Sequence, residues 1–596
     1  MEAFDTPDIQ EVPLQTPFFR SKVERFLADN GLRMEALNLY YTVQDADGNI
    51  VAGAGLAGDV IKCVAVAEEA RSAGYTLPLL SRIVSEASSR GISQLKVFTK
   101  PEYENVFGSI GFHTIARAPK AILMENGRGL EDYCAYLSTL KGNGSSTGVI
   151  VMNANPFTLG HEYLVRQASA AADRVIIIPV KQDVSLFPYS ERLEMMREGC
   201  GQAAVVAEGS EYQISAATFP TYFLKDLSDA AETQMRLDID LFGRHIAPAL
   251  GAGVRFVGSE QSDPLTARYN ALMLKLLPSY GVRVQVIPRM KSSNGRFVRA
   301  SRVRELLSQG RYKAAASLTP APVHPYLKAF LAERALKMEL DTPLKPGLVG
   351  PDSSGAHKDM DYALMSRSIA AIRPFFPRMA QASSAGELRE TGIEAEKAMM
   401  DATGGVNTHR GAIFSLGIAL RASAAVPDGS RQITEDKVLM YSACKKIAAG
   451  ILRKAREVSN LSEAAPSHGA EAVRKYGVKG ARDMAADGYK DLFAHWLPYY
   501  SSIKKQPYAL QRMLVCLIAT LDDTCIIHRA GYERSEELRD EAADIFGEIA
   551  HSTDYDKTKL LLEGLCRRYA SEGISPGGSA DMLALTIFID SLLTNN

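Results

Sequence analysis

An apolar strand, a tight turn, a helix and a second apolar strand follow one another near the end of the first third of the chain. This order constrains the fold more than any other stretch. The four segments are residues 148–152, 153–156, 162–172 and 175–180. Such a succession predicts a βαβ unit and therefore a parallel sheet. The turn after the first strand lies at the carboxyl edge of that sheet, where nucleotides usually bind.

The mouth of the predicted helix carries the tetrapeptide Thr158-Leu159-Gly160-His161. Gly160 lets the backbone approach a phosphate, and the helix N-terminus offers unpaired N–H groups and a partial positive charge. His161 adds a proton donor or a cation for a departing pyrophosphate. A capped helix with an unrelated histidine is the alternative interpretation.

The stretch NANPFTLGHEYLV resembles the nucleotide-binding turn of citrate lyase ligase, a family within the HxGH nucleotidyltransferase superfamily. The resemblance implies a Rossmann-like α/β adenylating domain over residues 148–335 that uses ATP. It implies catalytic roles for Thr158 and His161 and ATP contacts from Asn155, Phe157 and Gly160. The superfamily usually has histidine at the position of Thr158. Because threonine cannot carry charge, stabilisation of the transition state depends more on His161.

Two later segments match the same family. The segment KQDVSLFPYSER resembles its VxxDxSxFPFxxR pattern, in which Arg192 either stabilises a triphosphate or pairs with a carboxylate. The segment 298–304, VRASRVR, resembles its ISASxVR signature at the start of a helix. Ser301 and Arg304 match, and the resemblance implies that they bind the β and γ phosphates. Arg299 replaces the expected serine and adds a charge.

Residues 1–142 carry a different pattern. A hairpin around Asp47-Gly48, further strands and an amphipathic helix over residues 77–89 resemble the α+β fold of GNAT acyltransferases. Arg71 and Gly74 match the GNAT pyrophosphate loop, and Thr76 replaces its last small residue. The resemblance implies that Arg71 and Gly74 bind a CoA-like arm. A domain kept only for packing is the alternative.

Residues 340–596 combine helical patterns with polar, glycine-rich islands, which predicts an all-α domain with its site at the loop ends. The islands TPLKPGLV, SSGAHKDMD, TGGVNTHRGAIFSLG and SPGGSADMLA closely resemble triphosphoribosyl-dephospho-CoA synthase. That family transfers the triphosphoribosyl group of ATP to the 2′-hydroxyl of dephospho-CoA and releases adenine.

Substitution at C1′ needs a base, an acid and cations for the triphosphate. His409 and His357 are the acid–base candidates, and Lys345 and Arg410 suit the phosphates. Mg²⁺ prefers oxygen ligands, and the candidate carboxylates are Asp359, Asp361, Asp522, Asp523 and Asp581. N-capping is the alternative for Asp359. Only one of the adjacent Asp522 and Asp523 can face a given site.

The composition of the chain indicates which partners and which cellular compartment to expect. The chain has 596 residues and a formal net charge of −1 without a basic run, so nucleic acid is not an expected partner. No apolar run reaches the roughly 18 residues of a membrane span, and the acidic N-terminus lacks the apolar core of a signal peptide. The seven cysteines form no CxxC pair, which favours reduced thiols in a cytoplasm. A linker is predicted at 141–146 and a junction near 336–345.

Together these features predict a bifunctional enzyme of citrate lyase maturation. The resemblance implies that the front part activates acetate and acetylates the prosthetic-group thiol of the citrate lyase acyl carrier subunit. No cysteine here lies in an activating motif, so the thiol is not expected on this chain. Two alternatives remain for the front part: an adenylyltransferase of phosphopantetheine type, or a catalytically inactive module that docks the carrier.

Overall fold

The computed structural model describes residues 7–142, 144, 146–181, 185–213, 227–260, 263–292, 295–428, 432–459 and 468–594. The chain is multidomain and forms two compact units. The first unit contains Met1–Ala154 and Gly160–Phe297, and the second contains Asn155–Leu159 and Val298–Asn596. The short segment Asn155–Leu159 therefore belongs to the second unit, whereas the residues on either side of it belong to the first.

A mixed sheet of seven strands forms the front of the first unit, within its described residues. Its strands follow the order β1-β2-β3-β4-β5-β7-β6. They are β1 (Ile9–Glu11), β2 (Leu39–Gln44), β3 (Ile50–Ala57), β4 (Val60–Val66), β5 (Leu95–Thr99), β6 (Phe112–Arg117) and β7 (Ile122–Asn126). The helices here are α1 (Pro17–Asp29), α2 (Thr76–Ser89), α3 (Glu104–Gly108) and α4 (Gly129–Thr139).

The elements of this sheet follow the predicted pattern. β2 and β3 form the predicted antiparallel hairpin, and its turn uses Gly48 at a φ of 78°. Alternate residues of β4, such as Ile61 and Cys63, are buried, as expected for a half-covered strand. β4 runs parallel to β5 and pairs with it through Val60 and Ile61, at its beginning. The described ladder between these two strands thus ends before β4 does.

A second sheet, of five parallel strands, follows in the first unit. Its order is β10-β9-β8-β11-β12. The strands are β8 (Thr147–Met152), β9 (Arg174–Pro179), β10 (Val205–Val206), β11 (Ala252–Gly258) and β12 (Arg283–Ile287). The helices of this part are α5 (Leu159–Ser169), α6 (Tyr189–Cys200), α7 (Leu227–Leu241), α8 (Ala247–Leu250) and α9 (Pro264–Leu276).

The predicted βαβ unit is confirmed by β8, α5 and β9. Its strands read as continuous apolar runs because both faces of a parallel sheet are covered by helices. α5 begins at Leu159, three residues before the predicted start at residue 162. The strand order reverses direction at β8, and ligands in such sheets bind beyond the carboxyl ends of the strands at this reversal.

The two sheets share buried polar contacts and apolar packing. Glu125 on β7 is 1% exposed and accepts hydrogen bonds from the Tyr212 hydroxyl and the Leu130 N–H. Asp240 of α7 accepts from the N–H of Arg117 on β6 at 2.7 Å. Residues of both regions contribute to one hydrophobic core. The boundary predicted at 142–148 therefore lies inside one compact unit, and the division into three domains stays a prediction.

The described residues from Val298 onward form helices, with one isolated bridge between Gly350 and Ser353. The first helices are α10 (Ala300–Ser308), α11 (Tyr312–Ala316), α12 (His324–Leu340), α13 (Tyr362–Ile372), α14 (Phe375–Gln381), α15 (Ala385–Ala402), α16 (Arg410–Ala422) and α17 (Ile433–Ser459). The others are α18 (His468–Tyr476), α19 (Ala481–Ala486), α20 (Leu497–Ile503), α21 (Ala509–Thr520), α22 (Thr524–Ala530), α23 (Tyr532–Ile549), α24 (Tyr555–Glu572) and α25 (Gly577–Leu593).

α25 is the central helix of the second unit. It is apolar on nearly all sides, as expected for a fully buried helix, and it packs against α12, α16 and α21. The helical region predicted from residue 340 begins in the structure at α10. α10–α12 join the later helices, since Asp428 accepts from the Tyr312 hydroxyl at 2.5 Å and lies 2.6 Å from His324 Nδ1.

In the portion of the chain that the structure describes, no helix is both long enough and apolar enough to cross a membrane.

Candidate active sites

The turn after β8 and the start of α10 meet in the second unit. Asn155, Phe157 and Thr158 are buried, with exposures of 9%, 0% and 1%. Arg304 donates from Nη1 to the Asn155 carbonyl at 2.6 Å, and burial lowers its pKa. The two sequence signatures are therefore in contact although they lie 149 positions apart. Ser301 is exposed in the first turn of α10.

Arg192 on α6 holds the first part of the same turn. Its guanidinium is fully buried and donates from Nη1 to the carbonyl of Asn153 at 2.9 Å, to its side-chain oxygen at 2.8 Å and to the carbonyl of Val180 at 2.9 Å. Nε donates to the Phe187 carbonyl at 3.2 Å. These acceptors are backbone and amide oxygens, so Arg192 ties the ends of β8 and β9 together. Its predicted contact with a triphosphate stays a prediction.

We expect Arg192→Met to destabilise the first unit by about 3 kcal/mol, because several buried carbonyl groups lose their donor. Denaturant unfolding followed by circular dichroism measures the effect. Arg197→Met is the matched control on the same helix, since Arg197 forms exposed ion pairs with Glu194 and Glu208 that contribute about 1 kcal/mol or less. Equal stability of the two variants would contradict the holding role of Arg192.

His161 lies in the first turn of α5 and is partly exposed. Desolvation, and then the positive charge of Arg289, lower the pKa of its imidazole to about 4. The ring is therefore neutral at neutral pH and offers an N–H donor. The lowered pKa disfavours the cation at neutral pH, and the predicted action of His161 on a pyrophosphate stays a prediction.

Arg289 was not predicted from the sequence. It follows β12 and forms an ion pair with Glu260, which follows β11 and whose side chain is 3% exposed. Ser259 joins the two loops, because its N–H donates to the Ile287 carbonyl at 2.8 Å and its hydroxyl accepts from the Arg289 N–H at 3.1 Å. The available signal was positional, since neighbouring parallel strands end at the same edge of a sheet.

Arg71 and Gly74 lie between β4 and α2, as predicted. Arg71 belongs to a 3₁₀ turn, and its side chain is 65% exposed and 3.8 Å from Glu68. Gly74 has a φ of 73°, and no neighbouring atom lies within 4 Å of the place where a Cβ would stand. Glycine is therefore favoured here by the backbone angle and not by crowding.

The second unit contains a buried polar cluster that we define as Glu339, Lys345, His409, Asp523 and Asp581. The side chain of Lys345 is 1% exposed and forms an ion pair with Glu339, whose carbonyl also accepts from Lys345 Nζ at 2.6 Å. Gly347, two residues further on, packs closely against another part of this unit, because a Cβ there would stand 1.9 Å from the carbonyl oxygen of Ile574.

His409 lies immediately before α16 and is 4% exposed. Its Nδ1 is 2.7 Å from the Ser368 hydroxyl, whereas its buried Nε2 has no hydrogen-bond partner within the described part of the chain. Burial, and then the charge of Lys345, lower the pKa of His409 to about 4. The structure thus brings the predicted residues Lys345 and His409 together. His409 is a neutral imidazole whose Nε2 is available to a substrate.

The two aspartates of the cluster differ in their surroundings. Asp523 accepts from the Ser579 N–H at 2.8 Å, from its hydroxyl at 2.9 Å and from the Cys525 N–H at 2.9 Å. The carboxylate of Asp581 lies against Gly411, where a Cβ would stand 1.9 Å from Oδ2. Burial, followed by the negative charges of Asp523 and Glu339, raises the pKa of Asp581 well above its usual value.

His357 lies between α12 and α13 and contacts the loop that precedes α25. Its Nε2 is 2.8 Å from the Ser575 hydroxyl, and Arg529 approaches Nδ1 at 3.4 Å. Burial, and then Arg529, lower the pKa of His357. Asp359 lies 3.7 Å from Nδ1 and is 62% exposed. Both ring nitrogens of His357 are thus held by neighbours, in contrast to those of His409.

The five carboxylates that are candidate Mg²⁺ ligands differ in their surroundings, and their metal contacts stay predictions. Asp361 caps α13 by accepting from the Leu364 N–H at 2.7 Å, so Asp361 and not Asp359 is the capping residue. Asp522 pairs with Arg539 at 2.6 Å, which leaves only Asp523 facing the cluster, as adjacency requires. Among the described residues, no three His, Cys, Asp or Glu side chains are arranged to hold a metal ion.

Arg410 is half exposed and pairs with Glu396 of α15, so its predicted phosphate contact stays a prediction. Two residues of the helical site were missed by sequence reasoning. Glu339 ends a helix that is mostly buried, and a buried carboxylate next to the island TPLKPGLV was an available signal. Ser368 lies within α13, and nothing in its local sequence marks it.

Comparison with known proteins assigns both parts of the chain. A family model described as the citrate lyase ligase C-terminal domain matches residues 147–327, and one described as ATP:dephospho-CoA triphosphoribosyl transferase matches residues 327–596. The citrate (pro-3S)-lyase ligase of Haemophilus influenzae is 39% identical over 52% of this chain and 95% of its own length. That of Escherichia coli is 37% identical over 52% of this chain and 91% of its own length.

The second part has its own relatives. The "probable 2-(5''-triphosphoribosyl)-3'-dephosphocoenzyme-A synthase" of Azotobacter vinelandii is 37% identical over 44% of this chain and 90% of its own length. The chain therefore belongs to the citrate lyase ligase family and, in its C-terminal part, to the triphosphoribosyl-dephospho-CoA synthase family.

Proposed function

We propose that this chain is a bifunctional enzyme of citrate lyase maturation. One activity acetylates the prosthetic-group thiol of the citrate lyase acyl carrier subunit, using acetate and ATP. The other joins ATP and dephospho-CoA to form the precursor of that prosthetic group. The observation that carries the proposal is that one chain covers 95% of a ligase and 90% of a synthase.

In the ligase reaction, a carboxylate oxygen of acetate attacks the α-phosphorus of ATP and pyrophosphate leaves. The carrier thiolate then attacks the acetyl carbon and AMP leaves. We assign to His161 an N–H donation to the phosphates at the N-terminus of α5, where Gly160 permits a close approach. Ser301 and Arg304 serve the phosphates at the N-terminus of α10. The parallel sheet and its strand order support a Rossmann-like adenylating domain.

For the front sheet we propose a GNAT-like domain that binds the CoA-like arm of the carrier. The end of the ladder between β4 and β5 and the turn at Gly74 before α2 support this assignment. Arg71 would contact the pyrophosphate of the arm, and its exposed side chain is available for that contact.

In the synthase reaction, the 2′-hydroxyl oxygen of dephospho-CoA attacks C1′ of ATP and the bond to adenine breaks. We assign to His409 Nε2 the acceptance of the hydroxyl proton, because this nitrogen is buried, neutral and unpartnered. Ser368 holds the ring through Nδ1. The role of acid toward the leaving adenine, predicted for His357, stays a prediction.

Magnesium remains part of the proposal in a reduced form. Mg²⁺ usually takes one or two carboxylates together with substrate phosphates. Asp581 fits this role, since desolvation and then the neighbouring carboxyl groups of Asp523 and Glu339 raise its pKa, as expected where a cation would be favourable. Asp581 would hold the ion and the ion would neutralise the triphosphate; no step above depends on it.

Two assays on the same purified chain test the proposal. With ATP, acetate and the thiol form of the carrier subunit, we expect AMP and an acetyl thioester. With ATP and dephospho-CoA, we expect free adenine. Pyrophosphate release that depends on phosphopantetheine and not on acetate would favour the adenylyltransferase alternative. Carrier binding without acetate-dependent AMP would favour the docking module.

A further inference from the structure

Tyr489 lies in the second unit and has no role in the assignments above. It follows α19 and is 2% exposed. Its backbone has a φ of 59°, in the left-handed region. A tyrosine rarely adopts that conformation, and residues held in it concentrate at functional sites. The chain continues into a π-helical turn at Leu492–Trp496, another feature frequent at such sites.

The hydroxyl of Tyr489 is buried and has no hydrogen-bond partner among the residues that the structure describes. A buried hydroxyl without a partner costs free energy, so its persistence calls for an explanation. Burial, and then Cys444, Asp581 and Asp487, raise the pKa of the phenol well above its usual value. The phenol therefore keeps its proton at neutral pH and can act as a donor.

The packing of the helices explains why this hydroxyl and the polar cluster lie close together. α19 packs against α16 and α17, and α25 packs against the same two helices. α16 begins directly after His409, and α25 carries Asp581 in its first turns. His409 Nε2 is likewise buried and unpartnered. The helices next to these two atoms, α16 after His409 and α19 before Tyr489, thus pack against each other.

We propose that the Tyr489 hydroxyl is a substrate-binding donor of the synthase site, which contacts an acceptor on the adenine nucleoside of a substrate. This inference rests on the proposed synthase function. Both substrates, ATP and dephospho-CoA, carry such a nucleoside. The contact is a hydrogen bond and includes no proton transfer.

The test is Tyr489→Phe, assayed by adenine release with ATP and dephospho-CoA titrated separately. We expect kcat/KM to fall roughly two- to ten-fold for the nucleotide that Tyr489 contacts, since one neutral hydrogen bond is lost, with AMP formation from acetate unchanged. The ligand-free Tm should stay the same or rise, because an unpartnered buried hydroxyl is removed.

Tyr499→Phe is the matched control. The Tyr499 hydroxyl donates to the Ala550 carbonyl at 3.0 Å, so this variant should lower the Tm and leave both kcat/KM values unchanged. Unchanged kinetics of Tyr489→Phe with both nucleotides would overturn the inference while the proposed function stands, and so would a fall in its ligand-free Tm that accounts for the lost activity.

A second measurement does not depend on turnover. ATP and dephospho-CoA, each added alone, should slow amide hydrogen exchange across residues 481–503 in the wild-type chain and protect them less in Tyr489→Phe. If the wild-type chain releases no adenine, the proposed synthase function fails. The exchange experiment then still decides whether Tyr489 binds a nucleotide, and equal protection in the two proteins rejects it.

Discussion

His161→Ala is expected to lower acetate-dependent AMP formation by about 10²- to 10³-fold, which is the usual loss when one donor to a developing charge is removed. The ring is a neutral N–H donor at pH 7 because its pKa lies at about 4. A histidine with a depressed pKa is already deprotonated throughout the neutral range, so the ligase rate should show no step from His161 between pH 6 and 8. Initial rates of AMP formation across this range measure both effects.

The synthase reaction provides the internal control, because adenine release should be unchanged in His161→Ala. Arg166→Met, on the same helix, removes an exposed side chain paired with Glu162 and should keep AMP formation within about two-fold. Loss of both activities in a folded His161→Ala protein would overturn the assignment of two separate sites.

His409→Ala is expected to lower kcat for adenine release by about 10²- to 10⁴-fold, which is the range for a lost general base. The KM for ATP should change little, because the proposed role of His409 is proton transfer and not nucleotide binding. The pKa of the His409 imidazole is about 4, so the imidazole is deprotonated and can accept a proton at any higher pH. The rate of adenine release by the wild-type chain should therefore not fall as the pH decreases from 8 to 6. Steady-state measurements of adenine release give kcat, the KM for ATP and the pH dependence of the rate.

Ser368→Ala is the graded comparison for His409→Ala. It keeps the imidazole but removes the hydroxyl at Nδ1, so we expect a smaller loss of kcat. Excess Mg²⁺ should restore neither variant. If Mg²⁺ restores His409→Ala, then the residue acts through the metal or the triphosphate, and the assignment of the base is wrong.

Much of the first unit could be predicted because its elements carry local signals. β8, α5 and β9 are apolar runs with a glycine-containing helix start between them, and those signals act within a few residues. β10 was missed because its two residues, Val205 and Val206, are too few to show a pattern. The junction predicted near 336–345 falls at the end of the helix α12. It does not mark a boundary between units, because α12 packs along α25.

The sites were predicted unevenly for a similar reason. Motif residues such as His161, Arg304 and His409 stand in recognisable strings, and their neighbours do not. The charge of Arg289 lowers the pKa of His161. Arg289 follows β12, which is next to β11 only in the folded sheet. The carboxylates of Asp361 and Asp522 take part in helix capping and in an ion pair with Arg539, so their predicted metal contacts stay predictions. Sequence alone cannot decide between such competing partners.

The position of α12 has a consequence for how such a gene can be inherited. The two family matches meet at residue 327, which lies inside the helix His324–Leu340. Recombination at that codon would divide a buried helix and separate Tyr312 and His324 from Asp428, their partner in the later helices. The signature residues Ser301 and Arg304 are encoded upstream of the meeting point but belong to the same compact unit as the downstream helices. Dividing the gene at this point would therefore leave α11 and α12 without α25, against which both of them pack.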